Sequence, residues 1–261
     1  MLKEYRAGID VGSTTVKLVL LDEANRIIYG EYRRHCAHIQ EALLSLLKEA
    51  RSAVGQCALC AGVTGSGSIN LGKALGLDFV QEVVAVASAL KLTAPQTDVA
   101  IELGGEDAKI IYFKDGLDER MNGVCAGGTG SFIDQMAALL QTDAQGLNAY
   151  AENYKEIYPI AARCGVFAKS DIQPLINEGA TKPDLSASIF QAVVNQTISG
   201  LACGKPIRGC VAFLGGPLHF LPELRKAFIR TLRLTPENVV HPENSHLFAA
   251  MGAALEASCG A

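Results

Sequence analysis

The stretch Arg6–Asp22, RAGIDVGSTTVKLVLLD, decides the fold. A short apolar run ends at Asp10, a Gly/Ser turn follows, and a second run rich in Val and Leu begins. Two apolar runs separated by a tight polar turn are typical of two β-strands joined as a hairpin. The sequence therefore predicts a β-hairpin with polar groups at its tip.

A second segment, Asp98–Phe113, repeats this design with the sequence DVAIELGGEDAKIIYF. An apolar strand again ends in an acid-x-Gly pattern, and the strand Lys-Ile-Ile-Tyr follows. Repetition of one local unit indicates internal duplication. We therefore expect two related hairpins, one early in the chain and one in its middle.

The segments around the hairpins alternate between helix and strand patterns. Apolar spacing predicts a helix over His38–Val54, a buried strand over Cys57–Val63 and a helix over Val83–Leu92. Thr93–Thr97 contains a proline and is interpreted as a hinge. Further along, the patterns predict helices over Phe132–Leu140, Ser186–Ala202, Leu221–Leu232 and Ser245–Ala257, and a strand over Cys210–Leu214.

The chain of 261 residues is longer than most single domains. Together with the alternating elements, this length predicts an α/β protein of two lobes. We expect residues 1–95 to form the first lobe and residues 96–244 to form the second. The last helix, within 245–261, is expected to return to the first lobe.

Composition excludes several classes of function. A net charge of -4 gives no basic field that would attract nucleic acid. Hydrophobic residues make up 49% of the chain, which favours a packed core, but no apolar run approaches the ~20 residues of a membrane helix. The N-terminus lacks an apolar signal core, so a cytoplasmic location is expected.

The hairpin tips carry groups that suit a triphosphate and its Mg²⁺, which need amides, hydroxyls and a carboxylate. In the first hairpin, Gly12 lets the backbone approach a phosphate, and Asp10 is placed to act through a Mg²⁺-bound water. In the second, Gly104 and Gly105 form the opposing phosphate turn. Glu106 and Asp107 are, with Asp10, the candidates for orienting the attacking water. The other candidate contacts to ATP or ADP in the hairpins are Ser13, Thr14, Thr15, Lys17 and Glu102.

A third motif follows the strand Cys210–Leu214, where Gly215, Gly216 and Pro217 leave bare backbone for an adenine. One such hairpin alone would be an ordinary β-turn. Two acid-x-Gly hairpins followed by this motif, in this order, resemble the actin/sugar-kinase/Hsp70 superfamily. The resemblance implies a two-lobed, ribonuclease H-like ATPase fold.

The segment Gly67–Lys73 has the Gly and Lys spacing of a P-loop. Ala74, however, stands where a P-loop has the Ser or Thr that binds Mg²⁺. We interpret the segment as a loop that enters a helix.

Two cysteines share one setting. Cys125 lies in a Gly-rich loop just before a predicted helix, and Cys164 lies next to a glycine ahead of another. Helix N-termini and free amides stabilise the negative charge of a thiolate-bound [4Fe–4S] cluster. One chain offers only two cysteines in this setting, so four thiolates require two chains at a two-fold axis. Gly127, Gly128 and Thr129 are further candidate contacts in the same loop. On spacing alone, isolated cysteines are more often small buried apolar groups.

The stretches 121–136 and 162–171 resemble the cluster-binding motifs of the 2-hydroxyacyl-CoA dehydratase activators, within the BadF/BadG/BcrA/BcrD ATPase family, and the resemblance covers essentially the whole chain. It implies a homodimer with one [4Fe–4S] cluster between its subunits. ATP hydrolysis would drive a low-potential electron into a dehydratase or reductase, and reduced ferredoxin or flavodoxin would supply that electron.

The chain departs from the family pattern in the second hairpin, in the Cys125 loop and after Cys164. Glu102 and Glu106 replace an Asp and a Gln, Gly127 and Ser131 stand where the simple activators tend to have an Ala and an Arg, and Lys169 replaces a Glu. These variants look more like the activator domains of very long multidomain activases. The dehydratase or reductase partner is therefore expected either as a separate protein or on the same, longer polypeptide.

Two other classes of function stay open. A sugar-type kinase of the same superfamily would use Asp107 or Glu106 as its base and needs no cysteine pair. A non-catalytic nucleotide sensor would open and close without turnover.

The remaining cysteines and the histidines carry weaker signals. The eight cysteines are expected to be free thiols or metal ligands. The pair Cys57 and Cys60 is interpreted as part of a buried strand. The five histidines lack metalloprotease spacing and are expected to be ordinary surface or loop residues.

Overall fold

The structure is a computed structural model that describes residues 3–114, 116–122 and 126–258. The chain divides into two compact units. The first comprises Met1–Pro95 with His246–Ala261, and the second comprises Gln96–Ser245. Each unit contains one mixed sheet covered by helices, which confirms the predicted α/β class.

The first unit is built on a five-stranded sheet in the order β3-β2-β1-β4-β5. Strands β1, β2 and β3 are joined as antiparallel neighbours, whereas β4 runs parallel to β1 and β5 runs parallel to β4. The strands are β1 Lys3–Val11, β2 Thr15–Leu21, β3 Ile27–Arg34, β4 Cys57–Thr64 and β5 Asp78–Phe79. The helices are α1 Ile39–Val54, α2 Ile69–Leu75, α3 Glu82–Thr93 and α10 Phe248–Glu256.

The strands of the first hairpin are buried on both faces. Helix α1 contacts β2 and β3, and α10 contacts β1, β2, β4 and α3. Leu46 of α1 and Leu18 of β2 are fully buried in one core cluster. Because helices cover β1 and β2, their near-continuous apolar runs are explained by burial rather than by alternation.

The second unit repeats this sheet topology in the order β8-β7-β6-β9-β10. Strands β6, β7 and β8 are antiparallel neighbours, and β9 and β10 extend the sheet in parallel. The strands are β6 Val99–Leu103, β7 Ala108–Tyr112, β8 Asp118–Met121, β9 Val211–Leu214 and β10 Val239–Val240. The helices are α4 Gly130–Leu139, α5 Ala144–Ala151, α6 Gly165–Asn177, α7 Lys182–Thr197, α8 Gly216–Phe220 and α9 Pro222–Leu232. The shared strand order supports the duplication that the two hairpins predict.

The core of the second unit joins its helices to its sheet. Phe132 of α4, Phe190 of α7 and Phe213 of β9 are each at most 1% exposed. The rings of Phe213 and Phe228 have centroids 6.0 Å apart. Full burial of each such aromatic side chain stabilises the unit by about 1.5–3 kcal/mol.

Helix α7 ends differently from the prediction. A continuous helix was expected to Ala202, but α7 ends at Thr197 and a π-helical segment, Ile198–Ala202, follows. Short 3-10 turns at Pro236–Asn238 and Ser245–Leu247 lead to β10 and α10. Within the described ranges, no helix is long and apolar enough to cross a membrane.

Candidate functional site

The turn of the first hairpin is closed by a backbone hydrogen bond from Gly12 N to Thr15 O, of 2.9 Å. Asp10 and Lys17 lie opposite each other just behind it. Lys17 Nζ is 2.5 Å from Asp10 Oδ2, and the Asp10 side chain is only 1% exposed. Lys17, predicted to contact phosphate, therefore lies against the carboxylate at the base of the turn.

His35 supports this turn from β3. Its Nδ1 accepts from the Ala37 amide, so Nε2 carries the proton and donates to Gly12 O at 3.2 Å. The His35 amide also donates to Thr14 O. His35 lies in a loop, in agreement with the expectation of a surface or loop residue, but it is buried, with 7% exposure, and supports the turn. β3 pairs with β2 and ends beside the turn, which explains this placement.

The loop Thr64–Ser68 lies against the same end of β1. Thr64 is the neighbour of Asp10 in the parallel β1–β4 ladder, and Gly67 N donates to Val11 O at 2.9 Å. Ser68 precedes α2 and is fully buried, with Oγ donating to Gly65 O at 2.8 Å. The segment is thus a loop that enters a helix, as interpreted, and the sequence did not predict its contact with the end of β1 beside the first hairpin turn.

The turn of the second hairpin has the same backbone closure, with Gly104 N donating to Asp107 O at 2.7 Å. Asn122, at the end of β8, holds this turn from the side. Its Oδ1 accepts from Ala108 N at 2.7 Å, and its Nδ2 donates to Glu106 O at 3.2 Å. The sequence did not single out Asn122, because only the pairing of β8 with β7 brings it to the turn.

Helix α4 begins on this second turn. Gly130 N donates to Gly104 O at 3.0 Å, and Ser131 N donates to Gly105 O at 2.7 Å. Thr129, the residue before the helix, is fully buried. The second predicted phosphate turn and the start of α4 therefore form one hydrogen-bonded piece.

The predicted adenosine motif crosses the end of β6. Gly215 has φ +88°, and a Cβ there would lie 2.1 Å from Leu103 O. Its amide donates to Ser245 O at 3.1 Å. Since the left-handed conformation and the close approach both exclude a side chain, glycine is required at this position.

A polar cluster lies behind this motif. His219 Nδ1 is 2.9 Å from Ser245 Oγ, the rings of His219 and His241 stack at 5.8 Å, and Arg225 Nη1 donates to His241 Nε2 at 3.2 Å. Burial, and then the charges of Arg225 and His219, lowers the pKa of His241 to about 4. Burial, and then Arg225, also lowers the pKa of His219. Both imidazoles are therefore neutral near pH 7.

Cys164 is a free, half-buried thiol at the N-cap position of α6. Its segment packs against the loop that precedes α4, because a Cβ on Gly127 would lie 2.4 Å from Arg163 O and 2.5 Å from Ala162 O. Cys125, the other predicted cluster ligand, lies outside the described residues. The structure thus places Gly127 directly beside the Cys164 segment.

The segment that leads to Cys164 is anchored to α7 and α6. Asp184 Oδ1 accepts from the amides of Lys155 and Glu156, and Asp171 Oδ2 accepts from Ala161 N at 2.9 Å. The hydrogen bond from Thr181, followed by those from the two amides, holds the pKa of Asp184 below its usual range. These carboxylates hold in place a segment that has no regular secondary structure.

The other cysteines differ from the prediction at one position. Cys60 is disulfide-bonded, so the expectation of free thiols or metal ligands is wrong there. Cys60 is 6% exposed in β4, as expected of a buried strand residue. Cys36, Cys57, Cys203 and Cys210 are free. In the described part of the chain, no group of three or more His, Cys, Asp or Glu side chains is arranged to hold a metal ion.

Two repeated sheets, each with an acid-bearing glycine turn, define an ATPase-type α/β fold of the actin, Hsp70 and sugar-kinase class. Among solved structures, a glucokinase of the ROK family from Streptomyces griseus shares this fold at a TM-score of 0.52 and 15% identity, covering 97% of this chain and 99% of its own. The profile of the BadF/BadG/BcrA/BcrD ATPase family matches residues 7–257, and the chain belongs to that family.

Two solved structures are similar to this chain over nearly its whole length. The structure of the activator of 2-hydroxyisocaproyl-CoA dehydratase from Clostridium difficile, solved with bound ADPNP, has a TM-score of 0.86 and 26% identity, with 97% and 94% of the two chains covered. Component A of the (R)-2-hydroxyglutaryl-CoA dehydratase from Acidaminococcus fermentans has a TM-score of 0.85 and 26% identity, with 98% of each chain covered.

Proposed function

We propose that the chain is an ATP-hydrolysing activator that passes a low-potential electron from a [4Fe–4S] cluster, shared by two copies of the chain, to a 2-hydroxyacyl-CoA dehydratase or related reductase. Family membership supports the ATPase activity. The similar activators, one of them holding an ATP analogue, support the activating role.

One observation carries the proposal. The amides of Gly130 and Ser131 bond to the carbonyls of the second phosphate turn, and Gly127, in the loop just before them, packs against Arg163. A change at the turn would therefore be transmitted through the start of α4 to the Cys164 segment. Because packed backbone has little room to deform, a shift at one end must be accommodated at the other.

Among the described residues, Cys164 supports the cluster. Cys164 is a free, partly exposed thiol at the start of a helix of 13 residues, where the helix dipole stabilises a thiolate. Cys125 and Cys164 would hold the cluster, with Gly127, Gly128 and Thr129 shaping the adjoining loop. When bound, the group supplies one-electron chemistry at low potential.

The surface beside Cys164 supports contact with a second copy. Val166 and Phe167, the second and third residues of α6, are 70% and 64% exposed. Exposed apolar side chains next to a thiolate ligand would exclude water from a shared group when another chain covers them. A two-fold arrangement would bring Cys125 and Cys164 of both copies together and supply four thiolates.

In this proposal, the two hairpins bind and hydrolyse ATP. Amides and hydroxyls at Gly12, Ser13, Thr14 and Thr15 would meet phosphate oxygens in one turn, and Gly104 and Gly105 would do so in the other. Asp10, neutralised by Lys17, would orient a Mg²⁺-bound water, and Glu106 or Asp107 would position the attacking water. Gly215, Gly216 and Pro217 would lie against the adenosine.

The partners and the setting follow from the same proposal. A reduced ferredoxin or flavodoxin would supply the electron, and the dehydratase or reductase would accept it. Cytoplasmic location stays a prediction.

The deciding experiment measures iron and acid-labile sulfide in the anaerobically reconstituted protein, alongside its ATP hydrolysis. We expect about four of each per dimer in the wild type, and their loss in Cys164→Ser. Cys203→Ser removes an exposed free thiol elsewhere in the second unit and serves as the matched control.

Wild-type protein that hydrolyses ATP but takes up no iron after reconstitution would contradict the electron-transfer role. In that event, ATP-dependent phosphorylation of a sugar would indicate the kinase alternative, and nucleotide binding without turnover would indicate a sensor.

A further inference from the structure

The first hairpin contains a lysine bound to the acid at the end of β1. Asp10 and Lys17 are opposite each other in the β1–β2 ladder, with Nζ 2.5 Å from Oδ2. Their side chains are 1% and 14% exposed. The backbone bond from Gly12 N to Thr15 O closes the turn directly beyond them. A buried acid–lysine pair therefore forms the base of the first phosphate turn.

The second hairpin places an acid and a lysine in the same two positions. Glu102 and Lys109 are opposite each other in the β6–β7 ladder, and the bond from Gly104 N to Asp107 O closes the turn. Lys109 is 4% exposed, and Glu102 is half-buried. Side chains of directly opposite residues share one face, with Cβ atoms ~4.5–5.5 Å apart. The ammonium group of Lys109 is thus within reach of the Glu102 carboxylate.

Electrostatics explains why an acid–lysine pair is suited to the base of a phosphate turn. A carboxylate near a triphosphate is repelled by it, and burial raises the energy of any charge that has no counter-charge. A lysine on the same face cancels the charge of the acid without occupying the turn. Its side chain also restricts the directions in which the carboxylate can point.

We propose that Lys109 is a positioning residue for ATP hydrolysis, holding Glu102 ionised and oriented beneath the second phosphate turn as Lys17 holds Asp10 beneath the first. The inference rests on the proposed ATPase function. It distinguishes Glu102 from Glu106, which is exposed on the turn, as the acid whose orientation the fold controls.

The test compares Lys109→Met with wild type in steady-state ATP hydrolysis and in equilibrium binding of ADP and of a non-hydrolysable ATP analogue. We expect the turnover number to fall about 10- to 100-fold, because small misplacements of a catalytic group have effects of that size. Nucleotide affinity is expected to change less than about threefold, since the backbone amides of the turn are retained. Lys226→Met, which removes an exposed lysine on α9, is the matched control and should leave both quantities unchanged.

A second set of variants separates positioning from a structural role. In Glu102→Gln, the added Lys109→Met change should cost little further turnover, because the carboxylate that Lys109 orients is already absent. Lys109→Arg keeps the charge with a larger head group, so its turnover should lie between those of Lys109→Met and wild type. If Lys109→Met does not fold, Lys109→Arg alone must show reduced turnover with wild-type nucleotide affinity.

Failure of the proposed function and failure of the Lys109 inference give different results. A wild type without ATP hydrolysis refutes the proposed function and this inference together. An active wild type refutes this inference alone if Lys109→Met is equally active, if its nucleotide affinity and thermal stability fall in parallel with turnover, or if its effect is additive with Glu102→Gln.

Discussion

Gly127→Ala should separate the loop that carries Cys125 from the segment that carries Cys164 and thereby prevent iron binding. The added Cβ would lie 2.4 Å from Arg163 O and 2.5 Å from Ala162 O, whereas an ordinary contact needs at least 3.4 Å. The two backbone segments must therefore separate by about 1 Å, and overpacking of this kind costs about 1–3 kcal/mol. Metal–ligand distances tolerate only ~0.2 Å. A separation of that size is several times too large for ligands carried on both segments.

The assay is iron and sulfide content after anaerobic reconstitution, measured together with ADP affinity and the unfolding midpoint in urea. We expect Gly127→Ala to lose most of its iron while binding ADP within about threefold of wild type. Gly179→Ala is the control. Gly179 has φ +89°, and an added Cβ there would have no atom within 4 Å, so alanine adds backbone strain of ~1–2 kcal/mol without a steric clash. Full iron content in Gly127→Ala, at a stability matching that of the control, would refute the reasoning.

Three further predictions concern the supports of the turns. His35→Ala removes the donor to Gly12 O, a hydrogen bond worth about 1 kcal/mol, so ATP affinity measured by calorimetry should fall about fivefold. Gly215→Ala would place its Cβ 2.1 Å from Leu103 O at φ +88°, so urea unfolding should show a loss of more than ~2 kcal/mol. The third prediction concerns pH: stability should fall as pH drops from about 6.5 to about 4, because the folded protein keeps His241 neutral while the unfolded chain takes up a proton. Allowing for partial exposure, the loss should be about 1–2 kcal/mol, and His241→Gln should flatten this part of the profile.

Each of these has a clear contrary result. Unchanged nucleotide affinity in His35→Ala would mean that the turn keeps its shape without the imidazole. Wild-type stability in Gly215→Ala would show that the β6 end can move away. A pH profile identical in wild type and His241→Gln would assign the acid sensitivity to other groups.

Local patterns in the sequence were sufficient to predict the long helices. The helix predicted over His38–Val54 is α1, Ile39–Val54, and the helix predicted over Val83–Leu92 is α3, Glu82–Thr93. Both are long enough for apolar periodicity to repeat over several turns. The short elements, such as α8, β5 and β10, were not predicted, because two to five residues contain too little of any period.

The sequence by itself determined the two hairpins and the fold class, because acid-x-Gly turns between apolar runs are local and occur twice. The order of its motifs also pointed to the superfamily, and the stretches around Cys125 and Cys164 pointed to the family. Only the tertiary structure decided which distant residues support the turns: Asn122 reaches the second turn through β8, His35 reaches the first through β3, and Gly127 meets Arg163 through the packing of α4 and α6. These contacts depend on strand order and helix packing, so no local pattern of residues contains them.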